Sequence, residues 1–281
     1  MSDKDLLKNR FAANLRSYNS LAVVQERICE ELAELIGTHV PGKITRGLEV
    51  GTGTGFLTRR LLERYPDAEW TLNDLVEASE CFLQPYVGGR KTQCYWGDAE
   101  SLPAFGRPFD LIATASTVQW FDNLPAFLNR TQEMLGAGGR LALSTFGPDN
   151  FEEIRATTGD GLVYYTSAEL AGLLKQAGLT IEEQKEYARR LEFGSPTDVL
   201  RHIKATGVNA IRKTRWTPRR LTDFETLYRS RFSTSSGTVT LTYHPILIVA
   251  RKYKRCANKQ KHPAQKHTRQ TEASTLSKRA Q

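Results

Sequence analysis

The sequence has few cysteines and no long hydrophobic run. Its four cysteines, Cys29, Cys81, Cys94 and Cys256, show neither a C-x-x-C pair nor the spacing of metal ligands, so they indicate reduced thiols rather than a disulfide framework or a metal site. The first 20 residues lack the apolar core of a signal peptide, and no apolar run reaches the roughly 18 residues of a membrane span. These absences predict a cytoplasmic protein without a metal or a membrane segment.

Excess basic charge is absent from most of the chain. The 281 residues carry 39 Lys+Arg and 31 Asp+Glu, a net +8. Residues 251–281 alone hold ten basic side chains and one acidic side chain, which leaves residues 1–250 at −1. Few large apolar side chains follow Tyr253, so that end cannot bury enough surface to offset the entropy of ordering. We therefore expect one domain over residues 1–254 and a disordered basic tail over residues 255–281.

Short apolar runs alternate with segments of helical period between residues 47 and 146. This alternation predicts an α/β fold in which crossover helices connect the strands of one sheet. The predicted strands are Gly47–Gly51, Glu69–Asn73, Lys91–Trp96, Phe109–Ala115 and Arg140–Phe146. The predicted helices are Phe56–Arg64, Val76–Gln84 and Leu124–Leu135, the last of them stopped by Gly136–Gly139.

The flanking segments predict further elements. An amphipathic helix over Ser20–Leu35 belongs to an N-terminal helical cap at about residues 10–40. The elements predicted after Phe146 are a helix at Ser167–Gln176, a strand at Thr180–Phe193, a helical insertion at residues 194–236 and a strand at Val239–Ala250. Because Pro245 cannot donate a ladder hydrogen bond, we expect the last strand to lie near an edge or to bulge.

A glycine-rich loop, Glu49-Val50-Gly51-Thr52-Gly53-Thr54-Gly55, joins a buried strand to a helix. Alternate glycines suit positive φ angles and a ligand lying against the backbone. The dinucleotide pattern G-x-G-x-x-G fails here because its third glycine would fall at Phe56. An acidic residue beside the loop suits S-adenosylmethionine (SAM), which has no phosphate and carries an ammonium and a sulfonium, better than it suits a pyrophosphate. The loop resembles motif I of class I SAM methyltransferases.

Two acidic residues at later strand ends support this interpretation. Asp74 comes 21 residues after Gly53, near the spacing of about 20 at which an acidic side chain meets ribose hydroxyls. Asp98 ends the third predicted strand, where the methyltransferase resemblance implies a contact with the adenine amino group. The predicted cofactor-binding residues are Glu49, Gly51, Thr52, Gly53, Gly55, Asp74, Leu75, Asp98, Ala99 and Ser116.

Several further segments carry a more specific resemblance. They are Phe11-Ala12-Ala13 with Tyr18, Val118-Gln119-Trp120, Ser144-Thr145-Phe146, Lys204–Asn209 and Leu241-Thr242-Tyr243. From about Arg10 to Lys252 the chain resembles the malonyl-acyl-carrier-protein O-methyltransferases of biotin biosynthesis. That family implies a doubly wound, Rossmann-like α/β fold with a seven-stranded, mostly parallel sheet, a reversed last hairpin and a helical lid insertion. It also implies methyl transfer from SAM to the free carboxylate of malonyl on an acyl carrier protein. One departure is Glu49, where relatives often carry Asp.

The chemistry of this reaction limits what the site must contain. A malonyl carboxylate has a pKa of roughly 4 or below, so it is ionised at neutral pH and needs no general base. Catalysis then depends on alignment and on exclusion of water. The acceptor-site residues carried over from the resemblance are Tyr18, Gln119, Trp120, Lys204, Asn209 and Tyr243. Burial in the core would explain Trp120 and Tyr243 equally well, and a solvated helix face would explain Lys204.

Residues 189–220 form the basic part of the body, with nine Lys+Arg against two Asp+Glu. Acyl carrier proteins are acidic, so a basic lid would steer one to the site, although an ordinary solvated face would show the same composition. The predicted docking residues are Arg212, Lys213, Arg215, Arg219 and Arg220. We expect a monomer whose acceptor is malonyl-acyl carrier protein or malonyl-CoA.

Three other interpretations fit the sequence less well. The first is a SAM methyltransferase for another small carboxylic acid or for RNA. The second is a nucleic-acid-binding protein with a vestigial methyltransferase fold, which the complete glycine loop with Asp74 and Asp98 disfavours. The third is an NAD-dependent oxidoreductase, which Phe56 disfavours.

Overall fold

The computed structural model describes residues 3–40, 42–206 and 216–253. The strands are β1 Arg46–Val50, β2 Glu69–Asp74, β3 Thr92–Trp96, β4 Phe109–Ala115, β5 Leu135–Phe146, β6 Leu179–Glu186, β7 Arg189–Phe193, β8 Val239–Tyr243 and β9 Pro245–Lys252. The helices are α1 Asp3–Leu21, α2 Val23–His39, α3 Phe56–Arg64, α4 Glu80–Val87, α5 Leu124–Met134, α6 Glu152–Thr158, α7 Ser167–Gln176, α8 Pro196–Ala205 and α9 Pro218–Phe232. Single 3-10 turns lie at Glu77–Ser79, Ala99–Ser101 and Val118–Trp120.

Seven strands form the main sheet in the order β3-β2-β1-β4-β5-β9-β6. The first five are parallel, whereas β9 runs antiparallel to both β5 and β6. Strand β9 alternates its side chains between two cores, with Ile246 and Ile248 in one and Leu247 and Val249 in the other. Helices α2, α3 and α4 contribute to one core and α5 and α7 to the other. The expected doubly wound sheet with a reversed last hairpin is therefore confirmed.

The segment between β6 and β9 forms a small separate layer. Strands β7 and β8 pair with each other in a two-stranded antiparallel sheet, and α8 and α9 lie between them in sequence. A third apolar core joins this layer to α2 and to the end of β5, through Val24, Ile28 and Phe146 on one side and Val199 and Tyr243 on the other. We call β7, α8, α9 and β8 the lid.

Two predicted strands are wrong in the same way. The predicted strand Thr180–Phe193 is two strands, β6 and β7, and the predicted strand Val239–Ala250 is β8 and β9. Each pair divides where the chain passes between the main sheet and the lid. Pro245 is the first residue of β9 and pairs with Phe146, a position where proline removes no interior ladder bond. Strand β9 is paired on both sides, and its neighbour β6 is the edge strand of the sheet, so the predicted position near an edge is confirmed.

Other predicted boundaries shift for local reasons. The glycines at 136–139 do not follow helix α5 as a stop, because β5 begins at Leu135 and runs through them. The pairing register of β4 with β5 shifts between Phe109 and Leu111, which accommodates this extension. A Cβ on Gly139 would lie only 2.9 Å from the carbonyl oxygen of Phe109. The predicted helix Val76–Gln84 is a 3-10 turn followed by α4. Strand β4 and helices α3 and α7 have the predicted bounds.

The N-terminal cap is longer than expected and has two parts. Helix α1 begins at Asp3 and α2 at Val23, with buried Ala22 between them. Within the described residues no helix is long and apolar enough to cross a membrane. The tail at residues 255–281, which we expect to be disordered, lies outside the described residues, as do Cys256 and residues 207–215 of the predicted insertion.

Candidate active site

A cleft of about 910 Å³, counting the space open to solvent, lies at the carboxyl ends of β1, β2 and β4. Ligands of open α/β sheets bind at this edge, where the strand order reverses. The predicted cofactor residues that line the cleft are Gly51, Gly53, Asp74, Leu75, Asp98, Ala99 and Ser116. Glu49, Thr52 and Gly55 do not line it.

Two glycines of the loop have different surroundings. Gly51 and Gly53 have φ angles of +74° and +53°, in the region that glycine adopts without strain. A Cβ on Gly51 would overlap Thr117, whereas a Cβ on Gly53 would meet no protein atom within 4 Å. Since Gly53 lines the cleft, its missing side chain leaves room for a ligand to approach the backbone.

Asp74 holds the loop against the end of β2. Its Oδ2 accepts a hydrogen bond from the Gly53 N–H at 2.7 Å, and its Oδ1 accepts one from the Val76 N–H at 2.8 Å. Burial raises the pKa of Asp74, although these donated hydrogen bonds act in the opposite direction. Both carboxylate oxygens therefore have partners within the chain, and the loop is shaped before a ligand arrives.

The Glu49 carboxyl, unlike that of Asp74, has one oxygen that is unpaired among the described residues. The Glu49 side chain is 1% exposed, and its Oε2 makes no hydrogen bond with another described residue. Burial raises the pKa of this carboxyl to about 8. A buried carboxylate gains most from a nearby cation, so the orphaned oxygen fits a ligand that brings positive charge to the glycine loop. The open space at Gly53 and the unpaired Oε2 of Glu49 together fit a cationic ligand such as SAM.

Asp98 bonds to a residue of helix α1. The Lys4 ammonium donates to Asp98 Oδ2 at 2.7 Å, pairs with Glu100 and lies 3.3 Å from Asp122. Burial alone would lower the pKa of Lys4, but the hydrogen bonds to Asp98 and Glu100 raise it. The charged form of Lys4 therefore ties the N-terminal end of α1 to the end of β3.

Helix α1 forms one wall of the cleft, which the sequence reasoning missed. One face of the helix lines the cleft over its whole length, with Lys4, Leu7, Lys8, Phe11, Leu15 and Tyr18. These residues follow the three- and four-residue spacing of a single helical face. That spacing was the available signal, but the predicted cap began only at about residue 10.

Ser116 closes the opposite side of the cleft in a strained conformation. Its φ is +51°, which is uncommon for a residue other than glycine. The Gln119 amide donates to the Ser116 carbonyl oxygen at 2.6 Å, and the Thr145 hydroxyl lies 3.4 Å from Gln119 Oε1. Gln119 thus supports the turn that carries Ser116 and does not itself line the cleft.

The other predicted acceptor residues lie in different places. Tyr18 and Trp120 line the cleft, and the Trp120 ring meets the edge of Phe11 at a centroid distance of 6.0 Å. Tyr243 is fully buried among the aromatic side chains of the lid core. Lys204 is exposed on α8, and Asn209 lies outside the described residues.

Few of the predicted docking residues are described. Arg219 and Arg220 are exposed in the first turn of α9. Arg212, Lys213 and Arg215 lie outside the described residues. Across the described ranges there is no group of His, Cys, Asp and Glu side chains that could hold a metal ion, and Cys29, Cys81 and Cys94 are free thiols.

The chain is similar to known methyltransferases over most of its length. Residues 21–184 match the model of a methyltransferase domain family. Malonyl-[acyl-carrier protein] O-methyltransferase of Chlorobium luteolum is 38% identical over 256 residues, which cover 90% of this chain and 97% of that protein. The protein of the same name from Porphyromonas gingivalis is 38% identical over 251 residues, covering 89% of this chain and 96% of that protein.

The fold is also that of a solved methyltransferase. The crystal structure of 1,6-didemethyltoxoflavin-N1-methyltransferase from Burkholderia thailandensis, with bound 1,6-didemethyltoxoflavin and S-adenosylhomocysteine, superposes with a TM-score of 0.53. The two sequences are 17% identical, and the match covers 90% of this chain and 92% of that one. At this identity the likeness concerns the fold alone.

Proposed function

The chain belongs to the malonyl-[acyl-carrier protein] O-methyltransferase family, and from this premise we propose what its cleft does. It is a SAM-dependent methyltransferase that esterifies the free carboxylate of a malonyl thioester held on acyl carrier protein. The ester hides the charge, so that the chain can be elongated as though its end were apolar, on the way to biotin. The observation that carries the proposal is the preformed glycine loop with its orphaned acidic neighbour, in a chain that matches these relatives along nearly their whole length.

In this site the reaction needs no proton transfer. SAM, when bound, supplies a methyl group that is activated by the positive sulfur. The malonyl carboxylate oxygen bonds to the methyl carbon while the bond from that carbon to sulfur breaks, and the electron pair stays on sulfur. The protein's task is to align the oxygen with the methyl carbon and to exclude water. The stripe of α1 that lines the cleft suits the second task because it is mostly apolar.

We propose a cofactor role for each of these residues, supported by its position at or behind the cleft. We assign the SAM amino group to the side of the loop beside Glu49, because Oε2 of this buried carboxyl has no hydrogen-bond partner among the described residues. The ribose belongs near Asp74, and the adenine lies between Leu75 and Ala99 with Asp98 at its amino group. Gly51, Gly53 and Ser116 form the backbone walls that the ligand lies against, with Thr52 and Gly55 shaping the loop behind them.

The acceptor lies between the cleft and the lid. Tyr18 and Trp120 stand at the cleft wall where the methyl group would arrive. Gln119 acts through the Ser116 turn that it supports. Tyr243, Lys204 and Asn209 complete the candidate set on the lid side, with exposed Lys204 at the surface where a charged acceptor would approach.

The labelled methyl group decides between this function and its alternatives. The purified protein is incubated with methyl-labelled SAM and malonyl-acyl carrier protein, and the product is treated with mild base. We expect label on the acyl group that base releases as methanol, as an ester requires. Label on RNA in a parallel incubation, with none on the malonyl group, would overturn the proposal.

Carrier docking is tested by charge reversal on α9. We propose that Arg219 and Arg220, with Arg212, Lys213 and Arg215, attract the acidic carrier protein and that the enzyme acts as a monomer. Reversing Arg219 and Arg220 to Glu should raise the KM for malonyl-acyl carrier protein several-fold more than the KM for malonyl-CoA, because coenzyme A lacks the protein surface. The control reverses Lys43 and Lys91, which are exposed near the other ends of β1 and β3. Equal effects on both substrates would contradict docking at α9.

A further inference from the structure

Gln25 carries a buried amide that makes no hydrogen bond of normal geometry with the described residues. It lies in the first turn of α2, its side chain is 2% exposed, and neither Oε1 nor Nε2 makes such a hydrogen bond. Nearly all buried side-chain polar groups in proteins are paired, since an unpaired one destabilises the fold. An amide with so little hydrogen bonding among the described residues keeps N–H donors available for a ligand.

The surroundings of Gln25 join the cofactor cleft to the lid. Burial raises the pKa of Tyr243, and hydrogen bonding with the side chains of Gln25 and Thr206 acts in the opposite direction, so both side chains lie against its hydroxyl. The Tyr243 oxygen is 2.8 Å from Nε2 of His202. Tyr18, which lines the cleft, is close enough to Tyr243 for the two hydroxyls to interact electrostatically. Side chains from α2, α8 and β8 therefore meet at one buried position within electrostatic range of Tyr18, which lines the cleft.

The groups that meet there are neutral hydrogen-bonding groups. Burial raises the pKa of both Tyr18 and Tyr243 and lowers the pKa of His202, so all three are uncharged at neutral pH. The Gln25 amide offers two N–H donors and each phenol offers one, while a carboxylate offers only acceptors. Side chains of a helix tilt toward its N-terminal end, where the partial positive charge of the dipole favours an anion, and Ala22 at the N-cap of α2 supplies no capping side chain.

We propose that the Gln25 amide and the hydroxyls of Tyr18 and Tyr243 receive the malonyl carboxylate, and that His202 is a positioning residue that orients the Tyr243 hydroxyl. This inference rests on the proposed function. Neutral donors suit a nucleophile that must give up its charge, because a cation would bind the ionised ground state more strongly than the transition state, in which that charge is being lost.

Replacement of Gln25 by methionine tests the proposal through two opposite effects. Gln25→Met removes the poorly paired amide at similar volume, so Tm should rise by roughly 2–4 °C. The kcat/KM for the malonyl thioester should fall roughly 10- to 100-fold, as expected for a lost hydrogen bond to a charged group. A Gln25→Met protein that keeps the wild-type kcat/KM would overturn the proposal.

A second buried group supplies the matched control. The Thr131 hydroxyl on α5 is also buried without a partner among the described residues, and α5 contributes to a different apolar core from the one that contains Tyr243. Thr131→Val should raise Tm by a similar amount and leave kcat/KM unchanged. If Thr131→Val lowered kcat/KM as much as Gln25→Met, the loss in the latter would reflect general repacking, and the proposal would fail.

The positioning role of His202 is tested by a double-mutant cycle. Tyr243→Phe and His202→Phe should each lower kcat/KM for the malonyl thioester, and the double variant should be no worse than Tyr243→Phe alone. Losses that simply add would contradict a role for His202 through the Tyr243 hydroxyl. Tyr243→Phe also tests the site independently of Gln25, since it removes one donor and keeps the ring. Failure of the proposed function itself would appear differently, as a wild-type protein that does not methylate malonyl thioesters.

Discussion

The two halves of the site are built in different ways. At the cofactor edge, a seven-residue loop and one aspartate close by backbone hydrogen bonds, with both Asp74 oxygens occupied. At the acceptor side, the side chains come from four distant elements, and the Gln25 amide makes no hydrogen bond of normal geometry with the described residues. The cofactor edge is thus preformed by local structure, whereas the acceptor side exists only when α1, α2 and the lid are in place and is completed by the ligand.

The largest effect should follow from removing the aspartate that closes the cofactor edge. Asp74→Ala loses two hydrogen bonds to a buried carboxylate, so the Kd for SAM should rise by roughly 100-fold or more. Isothermal titration measures the affinity, and thermal unfolding shows how much of the fold survives. Asp74→Asn, which keeps one acceptor, should fall between wild type and Asp74→Ala. An unchanged Kd in Asp74→Ala would show that the loop is not held by this residue.

Two glycine substitutions at the cofactor edge separate an effect on folding stability from an effect on SAM binding. Gly51→Ala brings a Cβ into Thr117, so its main effect should be a loss of roughly 1–3 kcal/mol in unfolding free energy. Gly53→Ala meets no protein atom, so it should cost less stability but weaken SAM binding roughly tenfold or more because its methyl group enters the cleft. Denaturant unfolding and SAM titration measure the two effects. The reverse pattern would contradict the assigned geometry.

Glu49 should make cofactor affinity depend on pH. The pKa of the free enzyme's carboxyl is raised from about 4.5 to about 8, so the folded state loses stability as pH rises between these values, because only the unfolded state ionises there. A bound cation favours the ionised carboxylate, so SAM affinity should increase as pH rises toward 8, by at most about tenfold per unit.

The isosteric Glu49→Gln variant isolates this effect. Its stability should not fall, and its SAM affinity should not rise, as pH increases from 6 to 8. Titration of the ligand's own amino group affects both proteins equally. SAM titrations of both proteins at pH 6 and pH 8 make the comparison. Parallel pH profiles for wild type and Glu49→Gln would show that Glu49 does not titrate on binding.

The smallest effect concerns the connection between the two halves. Lys4→Met removes the ion pairs that tie α1 to Asp98 and Glu100, so unfolding free energy should fall by about 1 kcal/mol or less, while limited proteolysis within α1 should accelerate. The control is Lys43→Met, which removes an exposed ion pair with Asp67. Equal proteolysis of the two variants would mean that Lys4 does not hold α1.

The same contrast explains what the sequence could predict. The loop, Asp74 and Asp98 lie at fixed spacings that follow strand ends, so local reasoning located the edge of the sheet where they meet. The division of the last strand at His244 was not predictable in this way, because it depends on pairing with two different sheets. Gln25 was missed because a glutamine at a helix start is typical of a solvated face. Its position beside Val24 and three residues before Ile28, both of them buried, was the local sign of burial.

One titration tests most directly whether the cofactor edge forms independently of the acceptor side. S-adenosylhomocysteine is titrated into the Gln25→Met protein and into wild type under identical conditions. If the cofactor edge is closed by its own hydrogen bonds, the two Kd values should agree within about twofold, even though methyl transfer to the malonyl thioester is strongly reduced. A loss of cofactor affinity that matches the loss of kcat/KM would contradict this independence.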